Sequence, residues 1–372
     1  MRILTRLAVC ASVAVTALAL TAVPGVADPP GGVVPRSTDI VGVGSDTIAN
    51  VLDQFSHDYN ATHGGAKLYS YDATNPNTGA IHDLITPKAG CIPQARPNGS
   101  GEGINAVSGN TDGFTKGSPC EDFARSSSDR KSSQAPYAAG GIAFIVLAGD
   151  AVTYATQANS NAPGNLTTAQ LAAIYSCSVT NWKQVGGKNA PIKPFLPQTS
   201  SGTRSFFLSA IGVTTPGACV SDGNNLLEES EGYDSLLHSP DVIIPYSVGK
   251  YIAEVYHSAR CLNVNCNPVH NVICKPHAGQ DAFGCDTHGT MVLHDINGTS
   301  PLKGKTINYS FSATFLRHLF DVVRYDTATA DHIPPNMEPI FGAKGWICTS
   351  PAAKQDLLNY GFFLLGGCGT TH

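Results

Sequence analysis

The sequence predicts an α/β fold, and three observations carry that expectation. Apolar runs of strand length alternate with stretches of helical periodicity. Turns rich in Gly, Ser and Thr stand where strands end and helices begin. The apolar content, 42% of 372 residues with only 14% charged, is enough for a sizeable core and too much for a disordered chain.

The elements follow in order. DIVGVG at 39–44 reads as a strand entering a tight turn, and Ser45, Asp46 and Thr47 are all residue types that cap helices. Ile48, Val51, Leu52, Phe55 and Tyr59 then form one apolar helical stripe. Residues 72–121 are loop-rich, and within them NGSGEGINAV (98–107) sets Gly and Ser ahead of Ile104 and Val107. FARSSSDRKSS (123–133) precedes GGIAFIVLAG (140–149), a continuous apolar run expected to be a buried strand. LTTAQLAAIY places Thr167 and Gln170 at capping-box spacing, with Leu171, Ile174 and Tyr175 facing inward. SSGTRSFFLSAIG (200–212) repeats the hydroxyl and Gly turn before an apolar helix, and DVIIPYSVGKYIAEVY (241–256) reads as strand then helix. Residues 257–300 are cysteine-rich and irregular. Helical patterns are expected at 312–323 and 351–365. No internal repeat is visible.

Residues 1–27 read as a cleavable signal peptide. Arg2 and Arg6 form the basic start, Leu7 to Val23 the apolar region, and Gly25 and Ala27 the small positions before a cut at Asp28. Cys10 sits in LAVC, loosely a lipoprotein pattern, but Val9 suits it poorly, so free secretion is expected. Residues 28–38 are Pro/Gly-rich and read as a flexible leader. The ten cysteines beyond the signal peptide are expected to form disulfides; the sequence does not choose among the possible connectivities, and pairing of neighbours would give 91–120, 177–219, 261–266, 274–285 and 348–368. No CxxC occurs, and the cysteines from Cys261 to Cys285, with His270, His277 and His288, lack zinc-ligand spacing. No metal or cofactor is expected.

The net charge of −5 argues against nucleic acid as a partner, since a phosphate backbone needs a basic face. Neither GxSxG nor HExxH is present, which argues against the common hydrolases. Four segments instead share one design: GVGSDT (42–47), GSGEG (99–103), RSSSDR (125–130) and SSGTR (200–204). Small residues expose backbone N–H groups, hydroxyls add donors, and helix N-termini favour anions. Together they point to an oxyanion site.

LTTAQLAAIYSCSVTNWKQVGG, SSGTRSFFLSAIG and VGVGSDTIANVLDQF, in this order and spacing, give the chain a family resemblance. It resembles the phosphate-binding proteins of ABC importers, which are type II periplasmic binding proteins. The resemblance implies two α/β lobes, each a mixed sheet flanked by helices, with the ligand in the cleft between them. Lobe one would comprise 38–139 plus 258–372 and lobe two 140–257, with crossovers near 140–146 and 243–249. Carried over by position, Ser45, Asp46 and Thr47 match the first phosphate loop, Ser100 the second, Ser128 and Asp129 the family's Ser-Asp, and Ser201, Gly202 and Thr203 its Ser-Gly-Thr. Asp129 would accept the proton of hydrogen phosphate, and sulfate would leave that acceptor unpaired.

The sequence departs from the family at Pro197 and Thr199, where an Arg and an Asp are usual. The bidentate Arg clamp is therefore missing there, and Arg204, Arg125 or Arg130 is the candidate replacement. Asp46 adds negative charge where the family tends to have Thr. The expectation is a secreted, extracellular or periplasmic solute-binding protein. It would capture phosphate or a similar small oxyanion for an ABC permease, act as a monomer and carry out no catalysis. Two alternatives compete: a secreted interaction or surface protein that kept the fold and lost transport, and an extracellular hydrolase acting on phosphoesters.

Overall fold

The computed structural model describes residues 28–29, 33–76, 78–108, 120–131, 141–257 and 287–371. The predicted signal peptide and the expected pairs Cys261–Cys266 and Cys274–Cys285 lie outside these residues.

The main sheet has eight strands: β1 (Ile40–Gly44), β2 (Leu68–Ser70), β3 (Phe123–Ser126), β4 (Ile142–Gln157), β5 (Lys193–Pro194), β6 (Val242–Ser247), β7 (Met291–Leu293) and β8 (Leu316–Arg324). Their order is β2-β1-β3-β8-β4-β6-β5, with β7 also paired to β4. β1 runs parallel to β2 and β3, while β8 is antiparallel to both β3 and β4.

β4 runs through the apolar cores on both sides of the sheet's centre. It is 16 residues long and buried throughout. Its first part, Ile142–Ala151, pairs with β8. Its last part pairs with β6 through Val152–Ala155 and with β7 through Ala155–Gln157. Strand alternation sends Ile145 and Leu147 to one face and Phe144 and Val146 to the other, and both faces are covered. Further along, Val152 and Tyr154 enter a second core.

The first core gathers Ile40, Val51, Leu52, Phe55, Leu319 and Leu357 among others. The second gathers Leu171, Ile174, Tyr175, Trp182, Phe207 and Ile243. Ile296, Ile307, Phe311 and Phe315 also pack in the second core, not the first. Within the expected lobe-one segment 258–372, the buried residues from Ile296 to Phe315 thus pack with Leu171, Tyr175 and Ile243. The chain returns to the first core only along β8.

Helix α1 (Ala49–Thr62) buries the predicted stripe of Val51, Leu52, Phe55 and Tyr59. Its N-cap is Ile48, with no side-chain cap, so Ser45, Asp46 and Thr47 do not cap it as expected. Helices α2 (Gly99–Ser108), α3 (Thr168–Tyr175) and α4 (Gly202–Ala210) begin where the sequence places them. The capping box of Thr167 and Gln170 is formed, and Ser201 caps α4. Helix α5 (Val248–Ile252) continues from β6, and α6 (Glu338–Phe341), α7 (Trp346–Thr349) and α8 (Pro351–Asn359) lie near the C-terminus.

Residues 312–323 are not one helix: Ala313–Phe315 make a single 3-10 turn and the rest from Leu316 forms β8. Phe315, Leu316, Leu319, Phe320 and Val323 happen to fall at helical spacing. The cause is that β8 buries Leu319 and Val323 on one face and Phe320 and Val322 on the other, which erases strand alternation.

Cys91–Cys120, Cys177–Cys219 and Cys348–Cys368 are bonded as expected. Asp28 and Arg36, both in the stretch read as a flexible leader, are tied down. The Asp28 carboxylate accepts from Arg96 Nη1 and Nη2, each at 2.7 Å, and Arg36 pairs with Asp39. Among the described residues no helix is long and apolar enough to cross a membrane, and no cluster of three His, Cys, Asp or Glu is placed to hold a metal.

Buried carboxyls, among them Asp321 on β8 and Glu121 just before β3, make stability depend on pH. Burial pushes Asp321 up to about 8, with Arg125 opposing, and pushes Glu121 up to about 7, with Arg324 opposing. Between about pH 5 and 6 both are protonated in the folded chain and largely ionised in the unfolded one, and Glu121 ionises in the folded chain as pH passes about 7. The folded state then binds more protons, so stability falls as pH rises, by up to about 1.4 kcal/mol per pH unit for each group. Asp39 and Asp83, held below the usual carboxylate range despite burial by Arg36 and Arg96, act only at lower pH and with the opposite sign. The thermal midpoint is expected to fall from pH 5 to pH 8. Asp321→Asn should make that slope shallower, and an unchanged slope would contradict the assignment.

Candidate functional site

Four turns converge between the two cores. The first follows β1. Gly44 sits at φ +116, and a Cβ there would lie 2.8 Å from the Arg125 carbonyl, so only glycine lets the chain turn this tightly against β3. The turn delivers Ser45 and Thr47, both buried. The Arg125 guanidinium bonds the Ser45 and Gly44 carbonyls and the Ser70 hydroxyl, which fixes the turn from behind.

The second turn opens α2, where the Ser100 hydroxyl accepts the Ser127 N–H at 3.0 Å. The third leaves β3 and presents Ser127, whose Oγ lies 2.9 Å from Ser45 Oγ and 3.3 Å from Ser100 Oγ. The fourth opens α4. Ser201 accepts the Arg204 N–H as N-cap, and Thr203 Oγ1 lies 3.2 Å from Thr47 Oγ1. Gly202 is packed so closely that a Cβ would lie 2.3 Å from Ser127 Oγ and 2.4 Å from Ser100 Oγ.

At the centre sits the carboxylate of Glu229, 1% exposed. Its Oε1 faces the Thr47 N–H at 3.3 Å and Ser45 Oγ at 3.4 Å. Its Oε2 accepts from Ser201 Oγ at 2.8 Å and from the Thr203 N–H at 3.2 Å. Two hydroxyls, two backbone amides and the positive end of α4 thus hold one anionic group away from water.

A cation stands beside this cage. Arg317, on β8, places Nη1 3.0 Å from Thr203 Oγ1 and 2.9 Å from the Ser127 carbonyl. Its Nε and Nη2 both reach Asp150 Oδ2, at 2.9 and 2.7 Å. Asp150 also accepts the Ser247 hydroxyl at 2.8 Å and the Gly249 N–H at 2.9 Å. The fork of Arg317 therefore spans the turn after β3, α4 and the start of α5.

The sequence-derived candidates divide. Ser45, Thr47, Ser100, Ser201, Gly202 and Thr203 come together. Four others do not. Ser128 shapes the turn, with its carbonyl and N–H both on Ser126 Oγ. Asp129 is exposed, and its carboxylate accepts the next residue's N–H at 2.7 Å. The Arg204 guanidinium turns outward to the Pro197 carbonyl and Asp222. Asp46 points its carboxylate to Lys250, whose Nζ is 3.6 Å away. Burial raises the Asp46 carboxyl, and Lys250 opposes that rise. Arg125 supports the cage from behind, through the Ser45 and Gly44 carbonyls and the Ser70 hydroxyl, and the cation beside the cage is Arg317.

Sequence reasoning missed Ser127, Glu229, Arg317 and Asp150. Ser127 is one of three consecutive serines, and only the end of β3 at Ser126 decides which one faces inward. Arg317 was hidden in the segment read as helical. Glu229 and Asp150 carry no local motif.

The sequence profile of the PBP superfamily domain matches residues 32–232. The structure is similar to that of an ABC-type phosphate transport receptor from Vibrio cholerae, with a TM-score of 0.53 and 18% identity, covering 88% of this chain and 100% of that one. It is also similar to a putative phosphate ABC transporter substrate-binding protein with bound phosphate from Clostridium perfringens, with a TM-score of 0.54 and 14% identity, covering 88% and 99%. At these identities the likeness carries the architecture alone, a mixed α/β fold in two lobes. The profile spans more than half of the sequence and includes all four turns of the cage, and on that ground the chain belongs to the PBP superfamily.

Proposed function

We propose that this protein is an exported solute-binding protein whose interlobe cage captures phosphate or a closely similar oxyanion for delivery to an ABC permease. The observation that carries the reading is the Glu229 carboxylate itself: an anion in the cage is met by four donors within 3.4 Å. A tetrahedral oxyanion in the same place would meet those donors and lie beside the Ser100 and Ser127 hydroxyls and Arg317. The binding role of the two structural neighbours supports the same reading. Binding of this kind needs no catalytic group, because affinity comes from charge-assisted hydrogen bonds in a dry cleft.

Discrimination between phosphate and sulfate does not run through Asp129, which is exposed. The expected result is that phosphate raises the thermal midpoint of the disulfide-intact chain, by about 2.7 kcal/mol of stability at a hundredfold excess over Kd. Asp129→Asn should leave that response unchanged, and Ser201→Ala should weaken it. A midpoint that phosphate leaves unmoved both in the native chain and in Glu229→Ala would remove the reading, and would favour a secreted interaction protein instead.

A further inference from the structure

We propose that Glu229 is a tethered ligand of the cage, so that an external oxyanion enters only by displacing the chain's own carboxylate. This inference rests on the function proposed above. Its ground is that Glu229 occupies the very donors an oxyanion would need. Oε1 faces Ser45 and Thr47 from the turn after β1, whereas Oε2 takes Ser201 and Thr203 from α4. The two oxygens thus bridge one turn on the first core and one helix on the second. That is the bridge a captured ligand makes when two lobes close on it.

The segment around Glu229 is built to present it. The Leu227 carbonyl accepts the Gln198 N–H at 2.8 Å, and Glu228 Oε1 accepts Asn98 Nδ2 at 2.6 Å. On the other side the Ser230 carbonyl accepts the Tyr246 hydroxyl at 2.6 Å, and Ser230 itself sits at φ +61. A non-glycine residue there is unusual and is held by its surroundings. The carboxylate is therefore presented at high effective concentration by a short, anchored tether.

Displacement remains open to a tetrahedral anion for a geometric reason. Two carboxylate oxygens use four donors, while the Ser100 and Ser127 hydroxyls bond each other and Arg317 Nη1 stops at Thr203 and the Ser127 carbonyl. Phosphate has oxygens to spare for these groups. It cannot take the Thr47 and Thr203 N–H groups and the Ser201 hydroxyl while Glu229 holds them, because each of these donors has one proton to give and Glu229 already accepts it.

The experiment compares the native chain with Glu229→Ala and Glu229→Gln, all disulfide-intact, by calorimetric titration with inorganic phosphate and by thermal midpoint with formate. If the unplugged form is about one molecule in ten, apparent affinity is about tenfold below that of the open cage. Glu229→Ala is therefore expected to bind phosphate about tenfold tighter than the native chain or better. Formate should raise the midpoint of Glu229→Ala and leave the native midpoint unchanged, because a free carboxylate refills the position. Equal or weaker phosphate binding in a folded variant would overturn the tethered ligand and leave the phosphate reading standing. Formate rescue without phosphate binding in either protein would keep the tethered ligand and remove the phosphate reading. If Glu229→Ala fails to fold, Glu229→Gln decides: it keeps the shape, loses the charge, and should still bind phosphate more tightly than the native chain.

Discussion

Replacing Arg317 by alanine is expected to destabilise the protein by about 3–5 kcal/mol, the range seen when one partner of a buried ion pair is removed. The guanidinium is 4% exposed and its partner Asp150 is fully buried. Without Arg317, Asp150 keeps only the Ser247 hydroxyl and the Gly249 N–H, too little to carry a full charge away from water. The same change frees the Ser127 carbonyl and Thr203 Oγ1, so two walls of the cage lose their tie. Arg317→Lys should recover only part of the stability, because an ammonium cannot reach both Asp150 and the cage as a planar fork does. Denaturant unfolding of the three proteins checks this. A loss below about 1 kcal/mol for Arg317→Ala would place the pair among weak surface ion pairs and contradict its burial.

Gly202→Ala is expected to close the cage while leaving the fold in place. Gly202 is the first residue of α4 and its φ is not positive, so alanine suits the backbone. The conflict is spatial: the new Cβ would stand 2.3 Å from Ser127 Oγ, 2.4 Å from Ser100 Oγ and 3.0 Å from the Ser127 carbonyl carbon. Ser127 must shift, and with it the hydroxyls it bonds. Overpacking of this kind costs about 1–3 kcal/mol. If most of that strain falls on the bound state, phosphate affinity drops about 5- to 150-fold. The measurement is a phosphate titration in the native and the Glu229→Ala backgrounds. Gly164→Ala serves as the control, since nothing lies within 4 Å of a Cβ there. Unchanged affinity in Gly202→Ala would show that the oxyanion does not lie against this wall.

Much of the fold was legible because its signals are local. The stripe from Val51 to Tyr59, the capping box of Thr167 and Gln170, and the Ser201 cap each depend on residues a few positions apart. The region after 287 was not legible in this way. Apolar residues at 315–323 mimic helical spacing because β8 is covered on both faces, and the packing of Ile296, Ile307, Phe311 and Phe315 on the second core depends on contacts with distant elements. The cage divides along the same line. Ser45, Thr47, Ser100, Ser201, Gly202 and Thr203 stand in Gly-and-hydroxyl turns that can be recognised where they occur. The choice of Ser127 over Ser128 depends on where β3 ends, and the outward turn of Asp129 and Arg204 on neighbours in the fold.

By itself, then, the sequence determined the α/β class and the hydroxyl-rich turns at strand and helix ends, because each follows from composition or short-range spacing, whereas the cysteine count announced disulfides and the fold chose the three observed pairs. Only the tertiary structure decided what faces the cage. Glu229 reaches Ser45 across 184 positions, and Arg317 reaches Asp150 across 167. Such pairs leave no periodicity in the chain, since burial in a shared low-dielectric space, and not proximity along the backbone, is what makes an anion and its distant donors depend on one another.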